Sequence, residues 1–345
     1  INENNSKVKR LASTEWAVIV PHNSEDIDYI NSALEVIFFQ WQMNAYVTGT
    51  TNSHQRVKKR DFLNLRINFP NNQCREKIGE THKLIRNITS VNKKISVLNS
   101  KIISVLFRSW FIDFDPVKAK AEGKLPFGMD EETAALFPDS FEDSELGPIP
   151  VEWSLETLDS LAVNQAEAFN FSNKSEVIFI NTGDVLNGNL LHSEFTSTDD
   201  LPGQAKKAVR NGDILYSEIR PKNKRFAYLE NEMASEIVVS TKFMVIRAKT
   251  PCYQKFIYHH MTMQSSINFF NYMAESRSGT FPQITFDSIK RYEIIMPPEE
   301  VLKKFEQLVK PILDKFNESK EIKNILSIVR NELLPKLMSG ELKVD

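Results

Sequence analysis

The chain has 345 residues, 41% of them hydrophobic and 26% charged, with a net charge of −2. A length of this kind divides into two or more globular units. No apolar run reaches the ~18 residues of a membrane helix and the polar stretch 1–10 is unlike a signal peptide, so membrane-spanning and secreted classes are excluded and a cytoplasmic setting is expected. Cys74 and Cys252 stand far apart with no CxxC or HxxxH partner, so neither a disulfide framework nor a structural zinc site is supported.

The near-neutral total hides segregation. Between residues 201 and 228, seven cations (Lys206, Lys207, Arg210, Arg220, Lys222, Lys224, Arg225) stand against Asp213 and Glu218, whereas between 121 and 160 eleven acids stand against Lys124. This is the pattern of an anion-binding face set apart from a protein-docking face, or of two solvated charge runs.

In chain order, the first notable segment returns later. Ser13-Thr14-Glu15-Trp16-Ala17-Val18-Ile19 recurs as Ser240-Thr241-Lys242-Phe243-Met244-Val245-Ile246, and Gly49-Thr50 recurs as Gly279-Thr280. The strand-like 65–70 likewise matches 292–297. After each copy comes a long helical pattern, so the plan of globule, proline and long helix occurs twice.

The first helix is predicted over 72–111. Leu84, Ile88, Val91, Ile95, Leu98, Ile102 and Val105 recur at alternating steps of four and three, a heptad seam. At about 1.5 Å per residue this helix is roughly 60 Å long, more than one small domain needs. A connector follows over 113–150, rich in Pro, Gly and acids, with Phe127, Leu136, Phe137 and Phe141 as apolar anchors.

From 151 to 297 the pattern is that of a mixed α/β globule, with strands predicted at 177–180, 213–216, 225–229, 237–239, 243–247 and 293–296 and a helix over 253–271. The second long helix is predicted over 299–334. Phe305, Leu308, Ile312, Ile322, Leu326, Val329 and Leu333 form its seam, and Pro311 is expected to kink or restart it. Two seams of similar length predict an antiparallel coiled coil; the other arrangement packs each helix on its own domain.

No catalytic constellation emerges. A Gly-rich cofactor loop, an Asn/Asp-Pro-Pro-aromatic motif and a P-loop are all missing, and Met296-Pro297-Pro298-Glu299 reads as a strand end. The acids Asp139, Glu142, Asp143 and Glu145 lack a following lysine, so they read as partner-docking or solvated charge. What remains is recognition, which needs cations beside amides, hydroxyls and aromatics on loops. The stretch 217–228 has that mixture. Arg220 and Lys222 carry donors for guanine edges or phosphates and Asn223 for adenine, while Ser217, Lys224, Arg225 and Tyr228 accompany them and Lys206, Lys207 and Arg210 suit backbone clamping. A second loop, 276–283, offers Arg277, Ser278, Thr280 and Gln283 around Gly279, and its first-copy counterpart offers Thr50, Thr51, Asn52, His54, Gln55 and Arg56.

The segment Arg108-Ser109-Trp110-Phe111-Ile112-Asp113-Phe114-Asp115-Pro116-Val117-Lys118-Ala119-Lys120, the run 133–147 with Pro150 and Trp153, the run Gly212-Asp213-Ile214-Leu215-Tyr216-Ser217-Glu218-Ile219-Arg220-Pro221 after 201–207, and the C-terminal 331–341 closely resemble the specificity subunits of prokaryotic type I restriction-modification enzymes. The resemblance spans the whole chain. It implies an α/β (α+β) fold in which two target recognition domains are separated by two long helices that pair as an antiparallel coiled coil. The segments are then the C-terminal half of target recognition domain 1 (1–70), the first long helix (71–113), the connector (114–150), target recognition domain 2 (151–297), and the second long helix with its tail (298–345).

In the second copy 89 residues precede the Ser-Thr strand against 12 in the first, so about 77 residues are expected to be lacking from the front of domain 1. The resemblance further implies a non-catalytic subunit that reads a split double-stranded DNA target and binds no cofactor itself. Two modification subunits would carry S-adenosylmethionine and dock on the helices; restriction subunits would supply ATP- and Mg-dependent translocation and cleavage. The rival expectation is a truncated paralogue or inhibitor, a scaffold on modification subunits without full DNA recognition.

Overall fold

The computed structural model describes residues 18–47 and 57–342. The expectations for 13–17, Thr50, Thr51, Asn52, His54, Gln55 and Arg56 fall outside the described residues. The chain forms two units, one of Ile1–Lys101 with Ile312–Asp345 and one of Ile102–Pro311, and both divisions fall within long helices.

In the first unit the helices Ile27–Glu35 and Ile37–Ala45 precede the long helix Asn72–Phe111, which begins where the periodicity places it. Tyr29, Ala33, Val36, Ile78, Leu334 and Met338 form its core. Gly79 is required there, since a Cβ at that position would lie 2.9 Å from the Tyr29 backbone nitrogen. Ile78 packs with Leu334 and Met338, while Asn99 Nδ2 donates to the Ile312 carbonyl at 3.5 Å. Sequence order therefore reverses between the two long helices, and they run antiparallel, as expected.

The face that packs differs from the expected seam. Leu84, Ile88, Val91, Ile95 and Leu98 are 37% to 60% exposed, while the stripe one residue further on, with His82, Ile85, Thr89, Asn92, Ser96 and Asn99, is buried or half-buried. The inward stripe is polar and finds polar partners: His82 meets Ser32 at 3.0 Å and Asn99 the Ile312 carbonyl, while on the second long helix Ser319 is buried with its Oγ on the Lys315 carbonyl at 2.9 Å. On that second helix Ile322, Leu326, Val329 and Leu333 are half-buried. Glu299–Ser339 is one uninterrupted helix, so Pro311 does not restart it; Pro311 lies on an exposed face of that helix.

The expected strand 65–70 has no sheet partner among the described residues. Its second-copy equivalent, Glu293–Met296, pairs with Ser154–Thr157. Side chains hold the segment instead. Gln42 Nε2 donates to the Arg66 carbonyl at 3.0 Å and its Oε1 accepts from Arg66 N at 3.2 Å, while Asn68 Nδ2 donates to the Met338 carbonyl at 2.7 Å.

The second unit contains a two-sheet sandwich. One antiparallel sheet has the order Phe226–Tyr228, Ile214–Ser217, Phe243–Ala248, Ala162–Gln165. The other runs Thr196–Ser197, Glu176–Ile180, Ile237–Ser240, Ala205–Ala208, with its middle pair parallel. Ile178, Ile180, Ile237 and Val239 meet Leu215, Phe243 and Val245 between the sheets. The other face of the first sheet is covered by helices, with Tyr216 edge-on to Phe270 at 5.9 Å. Strands buried on both faces read as continuous apolar runs, which is why the central ones were legible. The predicted helix 253–271 is two helices, Gln254–Thr262 and Gln264–Arg277, broken at the extended Met263.

At the start of this unit the connector is ordered by Phe137 and half-buried Leu136 and Phe141, but Phe127 is fully exposed and anchors nothing. Pro126 takes the buried position instead. Phe107, Trp110, Phe111, Phe137, Trp153, Phe256 and Phe305 form a continuous aromatic cluster with centroids 5.0 to 6.2 Å apart. Large rings fill this junction with few side-chain rotors to freeze. Here Ile103 is buried while Ile102 and Val105 are exposed, so the outward apolar seam continues.

Candidate nucleic-acid interface

Two loops that the sequence separates by about sixty residues are joined by main-chain bonds. Ile219 and Gln283 form an antiparallel bridge. Arg220 N donates to the Pro282 carbonyl at 3.0 Å, and Ile284 N to the Glu218 carbonyl at 2.8 Å. Strand 214–217 delivers the first loop and helix Gln264–Arg277 the second. Ser217 is buried, and its Oγ accepts from Ile219 N at 3.1 Å, which turns the chain out of the sheet. Arg220 and Lys224 take left-handed backbone conformations, φ 44° and 54°, on either side of the short 3-10 turn Pro221–Asn223. Non-glycine residues are strained there and persist only where the surroundings impose them.

The predicted cations separate by what they touch. Arg225 donates to the carbonyls of Gly183 at 2.8 Å and Val185 at 2.9 Å. Lys207 is half-buried and donates to the Phe243 carbonyl at 2.6 Å; burial lowers its pKa, with Glu218 opposing and Lys242 assisting. Arg210 pairs with Glu167 at 3.0 Å, Lys222 with Glu275 at 3.0 Å, and Lys224 with Gln264 Oε1 at 2.9 Å. Tyr228 is half-buried, its ring tilted against Tyr258 with centroids 5.6 Å apart, and burial pushes its hydroxyl up to about 12. Lys206, Asn223, Arg277 and Thr280 are exposed, and the Arg220 guanidinium donates to the Thr280 carbonyl at 3.5 Å. Ser278 Oγ accepts from Phe281 N at 3.2 Å.

The loops 217–225 and 276–283 are thus brought together, whereas Lys206, Lys207 and Arg210 lie on or just after a strand of the other sheet. Tyr272, which the sequence reading did not single out, is 70% exposed on the helix that leads into the second loop; its neighbours Phe269, Phe270, Met273 and Ala274 are apolar, so no local pattern marked it.

The run Gly212-Asp213 supports this site from inside. Asp213 is 1% exposed and accepts Arg247 Nε and Nη2 at 2.7 Å each, and Arg210 N at 2.8 Å. Gly212 has φ 91°, a left-handed turn that favours glycine, and its N–H donates to the Leu229 carbonyl at 2.7 Å. Asp213 therefore fixes the approach to strand 214–217, and so the position from which the first loop departs. Among the described residues, no group of three or more His, Cys, Asp or Glu is placed to hold a metal ion, and no single helix is long and apolar enough to cross a membrane.

A two-sheet α/β domain with paired polar loops, joined to two long antiparallel helices, is a recognition architecture. The profile of the family described as "Type I restriction modification DNA specificity domain" matches residues 150–329, and the chain belongs to that family. It is 41% identical over 183 residues to the type I restriction enzyme HindI specificity subunit of Haemophilus influenzae, a match covering 53% of this chain and 40% of that protein. It is 23% identical over 330 residues to the MjaIX specificity subunit of Methanocaldococcus jannaschii, covering 92% and 70% respectively. The first match thus spans less than half of the relative's length. In fold it is similar to the crystal structure of the type I restriction-modification S subunit from M. genitalium, with a TM-score of 0.54 at 13% identity, over 94% of this chain and 75% of that one.

Proposed function

We propose that this chain is the DNA sequence-recognition subunit of a type I restriction-modification complex, reading part of a bipartite duplex target and scaffolding two modification subunits and the restriction subunits. The observation that carries the reading is the main-chain joining of loops 217–225 and 276–283, which brings the exposed Arg220, Asn223, Arg277 and Thr280 onto two connected loops. Phosphate contacts give affinity and base-edge contacts give sequence, so a rigid loop pair carrying both cations and amides is suited to the task. The residues at 151–297 act as the complete reader. The long helices set the spacing between half-sites, in the way that dimer geometry sets half-site separation elsewhere.

The outward seam Leu84, Ile88, Val91, Ile95, Leu98, Ile102 and Val105 receives the modification subunits. Seven apolar side chains at heptad spacing, 37% to 66% exposed, are what a partner helix packs against. S-adenosylmethionine, ATP and Mg belong on those partners and chemistry takes place there, in the cytoplasm.

The test is a duplex titration of the assembled complex. Sequence-selective, salt-dependent binding is expected, weakened by about 1 to 3 kcal/mol in Arg220→Ala. Equal affinity for target and scrambled duplexes, with partner binding intact, would instead establish the non-reading scaffold.

A further inference from the structure

On the joined loops, Phe281 is held yet left in the open. Its ring is 50% exposed, between exposed Thr280 and buried Pro282. The backbone around it is fixed on both sides, by Ser278 Oγ on Phe281 N at 3.2 Å and by Arg220 N on the Pro282 carbonyl at 3.0 Å. A half-exposed ring alone is ordinary. Two neighbours make this one different.

Gly279 has no positive φ, and a Cβ built on it would meet nothing within 4 Å. Neither backbone conformation nor internal crowding explains a glycine there, which leaves clearance for something outside the chain. The Arg220 guanidinium donates to the Thr280 carbonyl, 3.5 Å away, so a cation is held at the residue that precedes the ring. An apolar ring on a fixed backbone, a cation at the adjoining residue and an unobstructed glycine are the parts of a wedge that unstacks a base step while a phosphate is held nearby.

We infer that Phe281 inserts between adjacent base pairs of the bound duplex, with Gly279 giving the sugar–phosphate backbone room to approach. This inference rests on the reading of this face as a DNA interface. It adds a side chain that acts through the deformability of one base step, so that steps which unstack easily are preferred there.

The experiment uses the full chain assembled with its modification subunits, without methyl donor, on target duplexes carrying 2-aminopurine singly at positions other than the methylated adenine. With the wild type, fluorescence rises at the two bases flanking one step. In Phe281→Ala the rise is lost and affinity falls on the order of tenfold with its salt dependence unchanged. Phe281→Trp keeps both, and Gly279→Val loses both while melting like the wild type. An unchanged rise and affinity in Phe281→Ala overturns the wedge and leaves DNA reading standing. So does a loss that deoxyuridine in place of one thymine reproduces, because the ring then only meets a methyl group. Absence of sequence-selective binding by the wild type itself removes the underlying reading, a result distinct from either.

Discussion

Replacing Asp213 by alanine removes the one acceptor that two donors share. Arg247 loses both of its 2.7 Å bonds and Arg210 N its 2.8 Å bond, at a site 1% exposed to water. Breaking a buried pair by deleting one partner costs about 3 to 5 kcal/mol, here through the three bonds lost at Asp213 and the partial desolvation of Arg247, whose side chain is 24% exposed. In a unit of this size, melting shifts by about 2 to 4 °C per kcal/mol, so a fall of roughly 6 to 20 °C is expected. Thermal and urea unfolding followed by fluorescence of Trp153, which lies in the same unit, measures it. The double variant Asp213→Leu with Arg247→Met should recover much of the loss, since a packed apolar pair of similar volume replaces the ions without their desolvation cost. A loss below about 1 kcal/mol for Asp213→Ala, the net worth of a single ordinary hydrogen bond, would refute the assignment of this aspartate as the anchor of the recognition loop.

Three further outcomes follow from side-chain placement. His260 is buried with Nδ1 unpartnered, and burial holds its pKa down at about 4. Its folded value lies below the unfolded value of about 6.5, so its contribution is fully present above pH 6.5 and declines by about 3 kcal/mol as pH falls to 4; urea midpoints at pH 7 and 4.5 should differ less in His260→Gln than in the wild type. Leu98→Asp places a charge on an exposed position and should change stability by no more than about 0.5 kcal/mol while abolishing co-purification with modification subunits, whereas Ile103→Asp, on the buried face, should unfold the helix pair. Lys222→Ala should weaken duplex binding less than Arg220→Ala in parallel titrations, because Lys222 already has Glu275 as a partner at 3.0 Å.

The long helices were readable because a four-three repeat persists through twenty residues, and the central strands because apolar runs at 237–239 and 243–247 are buried on both faces. Which face of the first helix turns inward was not readable. Two stripes lie one residue apart, and the more apolar one was assigned to the intramolecular partner. Polar partners from elsewhere in the unit decide it: His82 meets Ser32 at 3.0 Å and Glu35 at 3.2 Å on the helix Ile27–Glu35, and so the stripe with His82 and Asn92 is buried instead. The cationic patch was legible as composition but not as availability. The partners of Arg225, Lys222 and Lys207 lie about forty residues or more away in sequence, at Val185, Glu275 and Phe243, and only the folded chain brings them together. The role of Asp213 was hidden for the same reason, since Arg247 stands on the neighbouring strand.

Methylation-site sequencing of DNA from cells carrying the whole system tests the central claim most directly. With the wild-type chain, the account predicts one defined target. With Arg220→Ala, or with residues 217–225 and 276–283 exchanged together for those of a relative, it predicts that one half of the target is relaxed or replaced while the other half and the spacing stay fixed. An unaltered target in the loop-exchanged system would contradict it.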